Sequence, residues 1–90
     1  MSIFKKPTSC TLAEILNSDE IGALKNVLST IGEKRPDIFK ELETKVNNNA
    51  LLNKTDVFDL TQICMKWQSI DSMYGKMMVK LFKKSETMAE

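Results

Sequence analysis

The stretch that decides the fold runs from Asp56 to Lys84 and reads DVFDLTQICMKWQSIDSMYGKMMVKLFKK. Its apolar residues return every three or four positions, which is the spacing of residues on one face of an α-helix. The row, called the seam below, consists of Leu60, Ile63, Trp67, Ile70, Tyr74, Met77 and Leu81. The pattern predicts one long C-terminal helix over residues 56–84, with the seam as its buried face.

The predicted helix is longer than a compact globule of this chain length. At about 1.5 Å per residue it spans about 43 Å, whereas a folded chain of 90 residues has a diameter of about 30 Å. Either shorter helices lie along the seam in a row, or a second copy of the chain covers part of it. We therefore expect a helical bundle that self-associates as a homodimer through the long helix.

Two short helices are predicted in the first third of the chain. Thr11 and Glu14 have the spacing of a capping box, in which each side chain bonds the backbone of the other residue, and a short helix over about residues 12–17 follows. Ser18 begins the second helix, because small polar residues satisfy the free backbone N–H groups of a first turn. Gly32 ends it, since glycine readily adopts the left-handed conformation that commonly follows a helix.

A third short helix completes the predicted bundle. Pro36 suits its first turn, where no backbone N–H is needed, and the run Asn47, Asn48 and Asn49 ends it because asparagine tolerates left-handed and turn conformations. The predicted fold class is all-α, with three short helices packed on one long C-terminal helix. We expect a single domain over residues 1–90, with a loose N-terminal arm at residues 1–10 and a polar tail at residues 85–90.

The composition is that of an ordinary globular domain. Apolar residues make up 42% of the chain and the net charge is +1, so no bulk charge draws it to nucleic acid or to a membrane. Cys10 and Cys64 are far apart and lack the spacing of metal ligands, which is typical of reduced cysteines in the cytoplasm. We expect no signal peptide and no membrane span. The expected location is the cytoplasm, either of a cell or of an infected host.

The residues that most enzymes use are missing or isolated. The chain contains no histidine, which removes Ser–His and Cys–His nucleophiles and imidazole bases. Its three glycines are isolated, so none forms a phosphate-binding loop. Cys64 lies beside the seam and is interpreted as a core residue rather than as a reactive thiol. We expect no enzymatic activity, no catalytic residue, no cofactor and no bound metal.

Carboxylates at the start of the long helix have two interpretations. Asn53 or Thr55 caps this helix, and Asp56 and Asp59 follow within its first turns. Acidic residues at that place interact favourably with the positive end of the helix dipole. The alternative is a pair of metal ligands. We prefer the first interpretation.

The best functional lead is a basic cluster near the end of the long helix. The lysines of residues 76–84 repeat at helical spacing, so they share one face beside apolar side chains. The alternative is a solvated helix end whose lysines complement the helix dipole. The predicted partner-binding residues are Met73, Lys76, Met77, Lys80, Phe82, Lys83 and Lys84. We expect an adaptor, inhibitor or regulator of a larger protein, with Met77 and Phe82 as apolar anchors and the lysines steering an acidic partner.

The methionines indicate that some apolar surface remains outside the seam. The chain has six methionines, and methionine adapts to irregular partners. Met65 and Met73 lie off the seam, so the seam does not absorb every methionine of the long helix. We expect this surface to be available to another protein, the alternative being that these side chains fill gaps in the core.

Nucleic-acid binding is the second hypothesis for the lysines. It would use the same cluster together with Lys5 and Lys6, provided that the arm folds back beside the long helix. It predicts an affinity that falls steeply with salt. Arg35 is the only arginine, and arginine is the usual residue for bidentate phosphate contacts, so we favour a protein partner.

A polymerising structural subunit is the third hypothesis. Residues 49–53 read NALLN and lead into a helix with Gln62, Trp67 and a closely spaced Met-Lys end. This part of the chain resembles the turn and second helix of type III secretion needle subunits. The resemblance implies a helical hairpin that assembles into filaments. The turn has no proline and the chain ends in the polar residues 85–90, which are departures from the needle pattern.

Overall fold

The described part of the chain is built from helices. The computed structural model describes the backbone of residues 6–34 and 36–90, and the side chains of residues 6–31 and 39–90. Within these residues the elements are a 3-10 turn at Leu12–Glu14, α1 (Ser18–Lys34), α2 (Pro36–Asn47), α3 (Lys54–Trp67) and α4 (Ser72–Glu86). Among them there is no β-strand, and none of the helices is long and apolar enough to cross a bilayer. The predicted all-α class is confirmed.

The stretch predicted as one long helix forms two helices. Residues 68–71 separate α3 from α4, so the prediction of a continuous helix over residues 56–84 is wrong. The Asp71 carboxylate accepts a hydrogen bond from the Met73 backbone N–H at 2.9 Å and thereby caps α4. The seam spacing conceals this start signal, because Ile70 continues the apolar row across the turn. α4 then runs back along α3, and the two form a helical hairpin.

The hairpin folds the two halves of the seam against each other. The core contains four members of the seam, Leu60, Ile63, Met77 and Leu81. Trp67 and Tyr74 are partly buried, with ring centroids 6.2 Å apart and ring planes inclined by 60°. Ile70 lies at the tip of the hairpin and is 69% exposed. Most of the seam is therefore packed within a single chain, which leaves little of it for self-association.

α1 and α2 pack against each other and contribute the rest of the helical core. The Asn17 side chain precedes α1 and accepts a hydrogen bond from the Glu20 backbone N–H at 2.8 Å, while the Glu20 carboxylate accepts one from the Asn17 N–H at 3.0 Å. α1 continues to Lys34, beyond the end predicted at Gly32. Among their described side chains, the buried apolar ones are Leu24, Val27, Leu28, Leu42 and Val46.

The segment before α1 forms a single 3-10 turn in place of the predicted short helix over residues 12–17. Its capping residues are as predicted, because the Glu14 carboxylate accepts hydrogen bonds from both the backbone N–H and the hydroxyl of Thr11. Asn17 caps α1 shortly after this turn. That second cap leaves no room for a longer first helix.

The connection between α2 and α3 is held by polar contacts. Asn49 has a positive φ of 54°, the left-handed conformation that asparagine tolerates, and it follows the end of α2 as predicted. Asn53 caps α3, because its side chain accepts the Asp56 backbone N–H at 2.8 Å. The Asp56 carboxylate accepts the Asn53 N–H at 3.0 Å and the Lys45 ammonium at 2.9 Å. Asp56 therefore has a structural role at this helix start.

The described part of the predicted arm packs against the tail of the chain. Cys10 and Leu52 form an isolated antiparallel bridge, with N···O distances of 2.9 and 2.7 Å. The Ala89 backbone N–H donates to the Pro7 carbonyl at 2.8 Å. Met88 is fully buried, with its sulfur 3.8 Å from the Cys10 sulfur. The described part of the predicted arm thus contacts the predicted polar tail, and the first five residues lie outside the described set.

Candidate functional site

The predicted lysine cluster is divided between two environments. The Lys80 ammonium donates to both carboxylate oxygens of Glu20, at 2.8 and 3.0 Å. The Glu20 side chain is only 7% exposed, so this contact ties α4 to α1. Lys84 follows one turn after Lys80 and is half-buried, whereas Lys76 and Lys83 are exposed. Lys80 is thus part of the fold through its ion pair with Glu20.

The ionisation of Glu20 is matched to this role. Burial by itself raises the pKa of Glu20, because it disfavours the charged form. The hydrogen bonds from Lys80 and from the Asn17 backbone lower it by more, so the pKa lies below its usual value of 4.5. The carboxylate is therefore charged at neutral pH and keeps Lys80 in place.

The two predicted apolar anchors, Met77 and Phe82, differ in exposure. Met77 is fully buried in the core, so it is not available as the anchor that the sequence predicts. Phe82 is 48% exposed and lies on the other side of α4. Met73 is partly buried against the core. Only Phe82 among the predicted apolar contacts thus offers a large surface to another molecule.

Phe82 lines a groove between α3 and α4, called the hairpin groove below. The groove has a volume of about 370 Å³. It is lined by Thr61, Met65, Met78, Val79, Phe82, Lys83 and Glu86. Residues one turn apart on each helix supply its walls, so side chains from both helices meet along its length. Its floor is almost entirely apolar, with Lys83 and Glu86 at one end.

Large apolar side chains remain exposed on this outer side of the hairpin. Phe58 is 47% exposed, Met65 and Val79 are each 44% exposed, and Phe82 is 48% exposed. Phe58 precedes Thr61 by one helical turn, so it extends the apolar wall of the groove along α3. Contiguous exposed apolar surface is unusual on a monomer and marks interaction sites. The hairpin groove is the best candidate for a functional site.

A larger cavity of about 460 Å³ lies between α1, α2 and α3. Its lining includes Ile31, Phe39, Asp59, Lys66 and Trp67. Ile31 and Phe39 directly precede and follow residues 32–38, whose side chains are outside the described set. Charged and polar side chains contribute to this cavity, whereas the floor of the hairpin groove is almost entirely apolar.

The reactive groups of the described residues are withdrawn from solvent or isolated. Burial raises the pKa of the Cys64 thiol to about 12, and burial also raises the pKa of Cys10. Both thiols are therefore protonated at neutral pH and are poor nucleophiles. Burial and the neighbouring Asp56 carboxylate raise the pKa of Asp59. No three metal-ligating side chains come together within the described residues.

The sequence alone did not bring together the residues of the hairpin groove. Met65 and Phe82 are seventeen positions apart, so a continuous helix would separate them by about 25 Å. The hairpin brings both to the same groove. The available signal was a second apolar row beside the seam, formed by Phe58 and Met65 on α3 and by Val79 and Phe82 on α4. Its meaning depends on the turn at Asp71, which the seam spacing conceals.

Comparison of the chain with models of protein families, with curated proteins and with solved structures gives no match. The geometry of the groove is therefore the basis for the function proposed below.

Proposed function

We propose that the chain is a non-enzymatic protein-interaction module that binds a larger protein, as an adaptor, inhibitor or regulator, through the hairpin groove. The observation that carries this proposal is the exposed apolar wall formed by Phe58, Met65, Val79 and Phe82. Burying the exposed half of one such side chain contributes about 1 kcal/mol to binding. A partner that covers all four gains several times that amount before its ordering costs.

An amphipathic helix is the partner segment that fits this surface. The groove runs between two helices that lie side by side, and a third helix packs its apolar ridge into such a groove. Met65 and Met78 line it, and methionine side chains adjust to the shape of a ligand. The proposed contact therefore consists of apolar anchors at one-turn spacing along a helix of the larger protein.

The proposal is tested with a helical peptide that has a leucine stripe and glutamine on its other faces. Its affinity for the full chain is measured by fluorescence anisotropy. We expect Phe82→Ala to weaken binding by about tenfold or more, since a central apolar anchor is lost. Ile70→Ala is the matched control, because it removes an exposed apolar side chain outside the groove.

The salt dependence of the same binding separates apolar from electrostatic contact. We expect the affinity of the uncharged peptide to change little between low and high salt, because no ion pair forms. Equal weakening by Phe82→Ala and Ile70→Ala would contradict the proposal. Failure of the wild-type chain to bind the peptide would overturn it.

Self-association is a competing use of the same surface. Most of the seam, through which the sequence predicts a homodimer, is buried in the core of one chain. A dimer would therefore have to use the outer side of the hairpin. Light scattering over a hundredfold range of concentration measures the mass. A mass that stays at the monomer value over this range leaves the groove open to a different protein. A dimer that Phe82→Ala dissociates would make a second copy its occupant, and open-ended growth would favour the polymerising subunit.

Nucleic-acid binding remains the second candidate, because one contact favours it. The Lys6 ammonium donates to the Glu86 carbonyl at 3.4 Å, which places Lys6 beside the end of α4. The ion pair of Lys80 with Glu20 weakens the nucleic-acid hypothesis, because it engages one of the lysines that would contact phosphates. Lys5 lies outside the described residues. Binding of a single-stranded oligonucleotide that falls steeply with salt and weakens in Lys6→Gln would support it.

A further inference from the structure

The lysines beside the hairpin groove indicate the chemistry of its partner. We infer that the partner segment is an acidic amphipathic helix, whose apolar stripe enters the groove and whose carboxylates flank that stripe. This inference rests on the proposed function and specifies the partner of the same site. It concerns the charge of the partner, whereas the proposed function concerns the apolar contact.

One lysine lines the groove, and two more lie one helical turn from residues of its apolar wall. Lys83 lines it directly. Lys76 and Lys83 lie three positions before and four positions after Val79, so all three share one side of α4. Lys54 lies four positions before Phe58 and extends the same row on α3. Lys76 and Lys83 are exposed, and Lys54 is partly exposed.

No salt bridge among the described residues engages these ammonium groups, although the charge of Lys76 helps to lower the pKa of Glu20. The salt bridges among the described residues engage Lys45 and Lys80, and both connect elements of the core. Glu86 is the acidic residue that lines the groove. Within the lining, Lys83 and Glu86 balance each other, so the excess of positive charge comes from Lys54 and Lys76 beside the groove. Such an excess favours encounter with an acidic segment over a basic one.

The alternative occupants satisfy only part of this surface. A second copy of the chain would bring a second set of the same lysines to a symmetric interface and so would double its excess of positive charge. A nucleic acid would neutralise the lysines but leave Met65, Met78 and Val79 without apolar contact. An acidic amphipathic helix satisfies both the apolar floor and the basic edges.

The spacing of the lysines also sets the spacing of the acids. Lys76 and Lys83 are seven positions apart, which is about 10.5 Å along α4. A partner helix that runs along α4 matches them with carboxylates seven positions apart on one flank. The other flank faces the neutral side chains of Thr61 and Met65 on α3. The inferred acidity is therefore one-sided along most of the groove.

Three versions of the leucine-stripe peptide test the inference on the full chain. One carries glutamine beside the stripe, one carries glutamate at two positions seven apart on one flank, and one carries lysine there. At low salt we expect the glutamate peptide to bind at least tenfold more tightly than the lysine peptide. The preference should shrink at high salt, because exposed ion pairs are screened.

Matched double variants locate the preference. In Lys76→Gln with Lys83→Gln, we expect the glutamate and lysine peptides to bind within about threefold of each other. Lys25→Gln with Lys40→Gln removes the same charge from α1 and α2, away from the groove, and should retain the preference. The glutamine peptide should bind the Lys25→Gln with Lys40→Gln variant like the wild-type chain. In the groove variant, its affinity is the reference against which the affinities of the two charged peptides are compared.

The outcomes separate this inference from the proposed function. If the glutamine peptide binds and the two charged peptides bind equally, the acidic-partner inference is overturned and the apolar groove stands. If none of the peptides binds, the proposed function is overturned as well. If a single-stranded oligonucleotide binds more tightly than the glutamate peptide and loses this binding in Lys76→Gln with Lys83→Gln, the lysines serve phosphates and the inference is wrong.

Discussion

The two sides of the α3–α4 hairpin carry similar apolar residues in different surroundings. On the inner side, Leu60, Met77 and Leu81 are fully buried in one core with residues of α1 and α2. On the outer side, Phe58 and Phe82 keep nearly half of their surface exposed, and no described element covers them. Apolar periodicity alone does not distinguish the two sides. Which neighbours lie against each row decides whether it stabilises the fold or binds a partner.

The largest expected difference between the sides is in stability. Leu60→Ala leaves a cavity in the core, and we expect it to lower the free energy of unfolding by about 2–5 kcal/mol. Phe58→Ala, on the outer side of the same helix, should lower it by less than about 1 kcal/mol. Urea unfolding measures both. Similar losses in the two variants would mean that the outer side is packed as tightly as the core.

The ion pair between Glu20 and Lys80 joins α1 to α4 on the inner side of the hairpin. Its carboxylate has a folded-state pKa below 4.5, so the pair stabilises the fold above about pH 4.5 and its contribution is lost as the pH falls through the folded-state pKa. We expect Glu20→Gln to lower the free energy of unfolding by about 1–3 kcal/mol at pH 7. The difference from wild type should disappear in acid.

Glu41→Gln is the control for this pH dependence. The Glu41 side chain is 87% exposed and lies 4.0 Å from Lys45. Such an exposed pair contributes little, so we expect a change below about 0.5 kcal/mol. A pH-independent loss in Glu20→Gln would instead indicate altered packing.

The turn at the tip creates the two sides. Asp71→Ala removes the cap of α4, and we expect it to cost about 1 kcal/mol of unfolding free energy. Ser69→Ala alters the same turn at an exposed residue that has no capping contact and should be nearly neutral. Thermal unfolding followed by circular dichroism compares them. No loss in Asp71→Ala would show that the turn does not need this cap.

The smallest expected effect is at Ile70, although the seam spacing predicts a buried residue there. Because Ile70 is exposed at the tip, Ile70→Ser should change the free energy of unfolding by less than about 0.5 kcal/mol. A loss of several kcal/mol, or a change in mass by light scattering, would indicate that Ile70 is covered by a continuous seam or by a second chain.

Local signals in the sequence predicted much of the fold. The all-α class, the capping pair of Thr11 and Glu14, and the cap at Asn53 all follow from short-range chemistry, and the structure contains each. Short-range capping of this kind depends on residues three or four positions apart, which a sequence displays directly.

Features that depend on contacts between distant parts of the chain could not be predicted from the sequence. The seam spacing is the same for a straight helix and for two helices joined by a short turn, so it did not reveal the hairpin. The pairing of Lys80 with Glu20 joins residues sixty positions apart. The hairpin groove likewise exists only after α4 folds back on α3. Three residues that the sequence predicts to bind a partner lie in two places. Phe82 and Lys83 line the groove, whereas Met77 belongs to the core.

The most direct test of the account uses the methionine methyl groups as reporters of the two sides. Met65 and Met78 line the groove, while Met77 and Met88 are buried in the core. Methyl NMR spectra of the full chain are recorded during titration with the glutamine leucine-stripe peptide. We expect the Met65 and Met78 signals to shift with saturation and the Met77 and Met88 signals to stay in place. Saturable shifts at Met77 and Met88, with Met65 and Met78 unchanged, would contradict it.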